Sequence, residues 1–138
     1  MSLELLRLLF DTGLFILIWM VQLIVYPGFQ YYAPDRLLAW HNTYTPRITV
    51  IVMPLMLGQL TLAGLQLWAI RDWYTLSSGL IIALLWSSTF LYFIPLHNQI
   101  ANNQFNTKTL KELVNKNWGR TFLWSLLLVL SLLKQVSG

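Results

Sequence analysis

No cysteine occurs anywhere in the 138-residue chain, which excludes disulfide frameworks, thiolate metal sites and thiol redox chemistry. Charge is nearly as scarce: 10% of residues are Asp, Glu, Lys or Arg, against about a quarter in soluble domains. With five acids and two histidines, a non-haem metal centre that needs three protein ligands has few candidates, and no metal residues are assigned. Nine Lys and Arg, interleaved with apolar runs, do not make a nucleic-acid surface; membrane lipid is the expected anionic partner. No small-residue cleavage site follows the first apolar run, which Glu4 and Asp11 interrupt, so that run reads as a retained helix rather than a signal peptide.

Apolar sequence is what the chain has in abundance, at 57% of residues. A soluble fold of this length cannot bury so much, whereas four spans of about 20 residues each accommodate it. The spans are expected at about 8–26, 46–70, 75–95 and 118–134. Pro27 and Gly28 stop the first, Pro46 suits the opening of the second, Pro54 kinks it, and Pro95 ends the third. Arg71, Asp72 and Trp73 form a tight turn that makes spans two and three antiparallel. Short interfacial helices are expected at about 35–44, capped by Asp35, and 109–117, where Thr109 and Glu112 fit a capping box. The expected fold class is thus all-α, a polytopic four-transmembrane-helix bundle forming one domain over residues 1–138.

Threading four spans assigns every polar residue to a side. Both termini and the Arg71 turn fall on one side; the segments 28–45 and 97–117 fall on the other, with Arg36, Arg47, Lys108, Lys111, Lys116 and Arg120. The positive-inside tendency places those segments in the cytoplasm and the termini outside. His41 and His97 share that loop side with Arg47, Asn98, Arg120 and Gln22, contributed by all four spans. Gln59, about 18 Å from Arg47 along a helix, would floor any pocket there. His41, His97 and Arg47 are the candidate catalytic residues, and Gln22, Gln59, Asn98 and Arg120 the candidate substrate-binding ones. Each also has a structural reading: the glutamines as interhelical hydrogen bonds, the arginines as headgroup contacts, the histidines as interfacial polar groups. Asp11 reads as structural, neutralised by Arg7 or Arg71.

Three function classes remain open. An electropositive His/Arg pocket suits a small membrane enzyme acting on a lipophilic or amphiphilic small molecule, with a histidine as acid or base on an enolisable or phenolic substrate. His41 and His97 as axial ligands would instead make a b-type haem protein, no CxxCH attachment motif being present. The third class is an accessory structural subunit of a larger membrane complex. Alternating-access transport by a monomer is not expected from four short helices without membrane-embedded charge.

The strings QLIVYPGF, WHNTYTPRITVIVMPLM, WSSTFLYFIPLHNQIA and LVNKNWGRTFLW cover most of the chain. Together they resemble a family of small uncharacterised four-span bacterial membrane proteins with IQxVxYPxF, HxxxxxRIxxxxxPxM, WxSTF with PxH, and NWxRT segments. That resemblance implies a bacterial inner-membrane location and carries no assigned activity. More distantly the chain is similar to anthrone-oxygenase-like membrane proteins, which act on polycyclic phenols without an evident cofactor. The family pattern implies Glu at the position of Gln59, and the exchange removes a carboxylate from any acid or metal role there.

Overall fold

A computed structural model describes all 138 residues, as four long helices without a strand. These are α1 (Leu3–Tyr31), α2 (Pro34–Ala69), α3 (Trp73–Ala101) and α4 (Thr107–Ser137). Each is long and apolar enough to cross a bilayer, so the chain is an integral membrane protein. The helices close into a ring in which α1 and α3 each pack against α2 and α4. Apolar side chains fill both surfaces: Leu14, Ile18, Leu85, Leu113 and Leu127 lie inside, while Ile24, Val50, Leu91 and Phe122 point outward. Interior and exterior are instead told apart by polarity, because Arg7, Asp11, Gln22, His41, Gln59, Asn117 and Arg120 are all buried.

Proline does not end the helices where the sequence suggested. Α turn of π-helix at Val21–Val25 carries α1 past Pro27, and another at Thr89–Phe93 carries α3 past Pro95. Just before each proline, the N–H of Tyr26 or Ile94 donates to the carbonyl five residues back, Val21 or Thr89. A proline has no N–H, and its ring crowds the carbonyl four residues back; a wider turn accommodates both without breaking the helix. His97 therefore sits on helical backbone rather than in a loop.

The two expected interfacial helices are likewise the first turns of longer ones. Residues 35–44 belong to α2, which continues through Pro46 and Pro54 for 36 residues. At 1.5 Å per residue that is about 54 Å, well beyond the hydrocarbon thickness, so its first turns stand at the headgroups. Ala33 occupies the N-cap and Asp35 lies in the first turn without capping it. Residues 109–117 belong to α4, whose capping box is Asn106 with Thr109 rather than Thr109 with Glu112. Asn106 Oδ1 accepts from the Thr109 N–H at 3.0 Å, and Thr109 Oγ1 accepts from the Asn106 N–H at 3.3 Å. Asn is as good an N-cap as Thr, and a start at Thr107 gives Thr109 the returning hydroxyl.

The Arg71 turn is closed by a second capping box, Asp72 with Thr75, and tied to the end of α4 by Lys134 Nζ, which donates to Asp72 Oδ2 at 2.8 Å. The Lys134 ammonium, helped by the Thr75 N–H, holds the Asp72 carboxyl below the usual carboxylate range.

Candidate functional site

The π turns aim two side chains at each other. Tyr26 precedes Pro27 in α1 and His97 follows Pro95 by two residues in α3, and the Tyr26 hydroxyl lies 3.0 Å from His97 Nε2. On the other side of the same ring, His97 Nδ1 is 2.8 Å from His41 Nε2 of α2, with the imidazoles stacked at 5.1 Å. Three groups from three helices thus form one hydrogen-bonded line, Tyr26–His97–His41. Phe29 and Tyr44 pack against His41, and its Nδ1 is buried without a partner.

A cavity of about 310 Å³ opens beside this line. It follows the inner face of α2 from Tyr44 to Met56, where the side chains of Ile48, Val52 and Met56 recur one turn apart, and α1 supplies Leu14, Leu17 and Ile18 opposite. Its polar end holds Tyr26, Thr45, His97, Asn98 and Arg120. Trp124, from α4, backs it. No Asp or Glu lines it, and Arg120 is its one Lys or Arg.

Arg120 has an unusual setting. It is 8% exposed, with its guanidinium 4.2 Å from the ring centre of Phe93 and 5.0 Å from that of Trp124. The three ion pairs of the protein are Arg7–Asp11, Lys108–Glu112 and Lys134–Asp72, so Arg120 has no carboxylate, and its buried Nε has no hydrogen-bond partner. Aromatic faces stabilise a desolvated cation by about 2 kcal/mol or somewhat more, less than the several kcal/mol that dehydrating a charge costs.

The structure sorts the candidates expected from sequence. It brings together His41, His97 and Arg120, with Asn98 at the exposed rim. Arg47 is exposed and off the cavity, because six residues beyond His41 is a rotation of about 240° past a full turn, on another face of α2. Gln22 faces α4: its Oε1 accepts from Asn117 Nδ2 and Thr121 Oγ1, both at 2.9 Å, and its Nε2 donates to the Val114 carbonyl at 3.1 Å. Gln59 lies beyond the floor, in the cluster around Asp11, and meets the cavity wall only through Trp124, whose Nε1 donates to Gln59 Oε1 at 3.4 Å. The expectation of no membrane-embedded charge is also corrected, since Arg7, Asp11 and Arg120 are all buried within the spans.

Sequence reasoning missed Tyr26, Tyr44, Thr45 and Trp124 as site residues. Tyr44 lies three residues from His41, a spacing that puts both on one helix face. A haem held between His41 and His97 does not fit, because the nitrogens that would face each other across the macrocycle are bonded to each other. No three His, Asp or Glu side chains lie close enough to share a metal ion. No family model matches the chain, and neither a curated protein nor a solved structure matches it.

Proposed function

We propose that this protein is a small membrane enzyme that takes a lipophilic or amphiphilic molecule into the cavity between α1, α2 and α3 and exchanges a proton with it through Tyr26, His97 and His41. The observation that carries this reading is Arg120, a buried cation without a protein counter-charge at the polar end of an apolar cavity. A charge inside a bilayer protein is expensive unless paired, and such residues mark substrate or proton paths. A ligand with an oxygen-rich or anionic head at Arg120 and its hydrocarbon along Ile48, Val52 and Met56 would supply the missing partner.

The line of hydrogen bonds supports acid–base work rather than binding alone. If the Tyr26 hydroxyl donates to His97 Nε2, then His97 Nδ1–H donates to His41 Nε2; if the order reverses, every donor reverses with it. A proton gained at one end is therefore matched by one available at the other, the behaviour required of a proton relay. In the same proposal the segments 28–45 and 97–117 face the cytoplasm of a bacterial inner membrane, so the line lies toward the cytoplasmic side of the bundle, with His41 itself buried.

The test is the lipid content of the purified protein. Organic extracts of wild-type protein should contain an amphiphile enriched over the surrounding membrane, and Val52→Trp, which fills the tail end of the cavity, should lose it. Identical extracts from a folded Val52→Trp protein and wild type would refute the cavity as a ligand site.

A further inference from the structure

We infer that the occupant is a single-chain amphiphile with one weakly acidic head group, a long-chain carboxylic acid, bound as its anion at Arg120 once its proton has passed to Tyr26. The inference rests on the cavity being a ligand site and names the class of ligand. Shape comes first. The cavity runs beside α2 from Thr45 to Met56, a rise of about 16 Å. Leu14, Ile18, Ile48, Val52 and Met56 wall that length, so the part of an occupant that lies along it is hydrocarbon. Extended at about 1.2 Å per bond, roughly a dozen carbons fill it.

Charge selects the head. One Arg or Lys lines the cavity, so one negative charge balances it, and the second charge of a phosphate monoester would have no partner. No carboxylate lines it to meet the cationic half of a zwitterion. The guanidinium fork matches a carboxylate in two parallel hydrogen bonds, and a carboxylic acid reaches the site through lipid in its neutral form.

The proton then has a route in which every atom is accounted for. The acid O–H breaks and its proton bonds to the Tyr26 oxygen, while the Tyr26 hydroxyl proton moves to His97 Nε2. The Nδ1 proton of His97 moves to His41 Nε2, and His41, carrying both ring protons, releases its Nδ1 proton to a water that enters beside that buried atom. Each contact of the line survives with donor and acceptor exchanged, and the 3.0 Å and 2.8 Å separations suit both directions. The unpartnered Nδ1 of His41 is where the line ends.

The experiment uses the full chain in nanodiscs of phosphatidylcholine and dodecanoic acid labelled with ¹³C at its carboxyl. In the wild type one equivalent should give a distinct carboxyl resonance that stays anionic to a proton concentration at least about tenfold above that which protonates the acid in the surrounding lipid. In Arg120→Gln the bound acid should titrate with the lipid pool, and in Val52→Trp the bound resonance should vanish. In Tyr26→Phe the anion should still bind, but proton release, followed with an indicator dye after rapid mixing, should slow at least about tenfold. Bound acid that titrates with the lipid pool in the wild type would overturn the inference and leave the cavity standing. The same holds if dodecanol binds, sensitively to Val52→Trp, where dodecanoic acid does not. If neither probe binds a folded wild type, the cavity reading falls as well.

Discussion

Two arginines lie inside this bundle, near opposite ends, and their surroundings differ in one respect. Arg7 has a counter-charge, although its Nη2, like Arg120 Nε, is buried without a partner. Its Nε donates to Asp11 Oδ1 at 3.1 Å and its Nη1 to Gln66 Oε1 at 3.0 Å, with the Tyr74 ring beneath the guanidinium. Asp11 is completed by Gln59 Nε2 at 2.6 Å and by Ser131, whose hydroxyl is linked to that of Tyr74 at 2.7 Å. All four helices take part, and the net charge is zero. Arg120 has two aromatic faces, a cavity and no anion. A compensated buried charge fastens helices together; an uncompensated one is what the proposed ligand would answer.

The comparison is broken most severely at its closed end. Asp11→Ala leaves Arg7 buried without a counter-charge and should cost about 3–5 kcal/mol, read as a large fall in thermal unfolding temperature in detergent or as loss of folded protein. Replacing both partners with apolar residues, Arg7→Met with Asp11→Leu, should recover most of that loss. A single Asp11→Ala change that left the unfolding temperature unmoved would mean that Arg7 is not held as described.

Next in size is the fit that lets Gln59 reach Asp11. Gly58 faces the Phe10 ring so closely that a Cβ would overlap it. Gly58→Ala should therefore destabilise by about 1–3 kcal/mol, and adding Phe10→Leu should restore part of the loss. Gln22→Leu removes the hydrogen bonds that join α1 to α4 between the two ends and should cost about 1 kcal/mol in the same assay.

The smallest effect depends on pH. Because Asp72 titrates below its unfolded value, its cap and its Lys134 bridge contribute fully at neutral pH and are lost as pH falls through the lowered folded value. Wild type should lose up to about 1 kcal/mol on acidification relative to Asp72→Ala, which lacks both contacts from the start. Parallel unfolding curves for the two proteins across that range would count against the cap.

Much of this was legible in the chain. Hydropathy marked four helices, and an even number of crossings placed His41 and His97 on one side, where the structure joins them at 2.8 Å. The pairing of Asp11 with Arg7 one turn earlier followed from helix geometry. What did not follow was azimuth. Arg47 and Arg120 look alike in sequence, and only the packing of α2 and α4 against their neighbours shows that one faces outward and the other a cavity. Depth failed similarly at Gln59, whose polarity serves Asp11 rather than the pocket. Pro27 and Pro95 were read as stops because the cost of a proline is local, whereas the π turns that absorb it depend on the surrounding helices.

The contrast between the two arginines is tested most directly by thermal unfolding of delipidated protein, wild type against Arg120→Met, with and without dodecanoic acid. The expected result is that Arg120→Met is at least as stable as wild type when empty, and that the acid raises the unfolding temperature of wild type alone. If Arg120→Met instead falls as far as Asp11→Ala, or if both proteins respond equally to the acid, Arg120 is a structural charge and the cavity has lost its ligand.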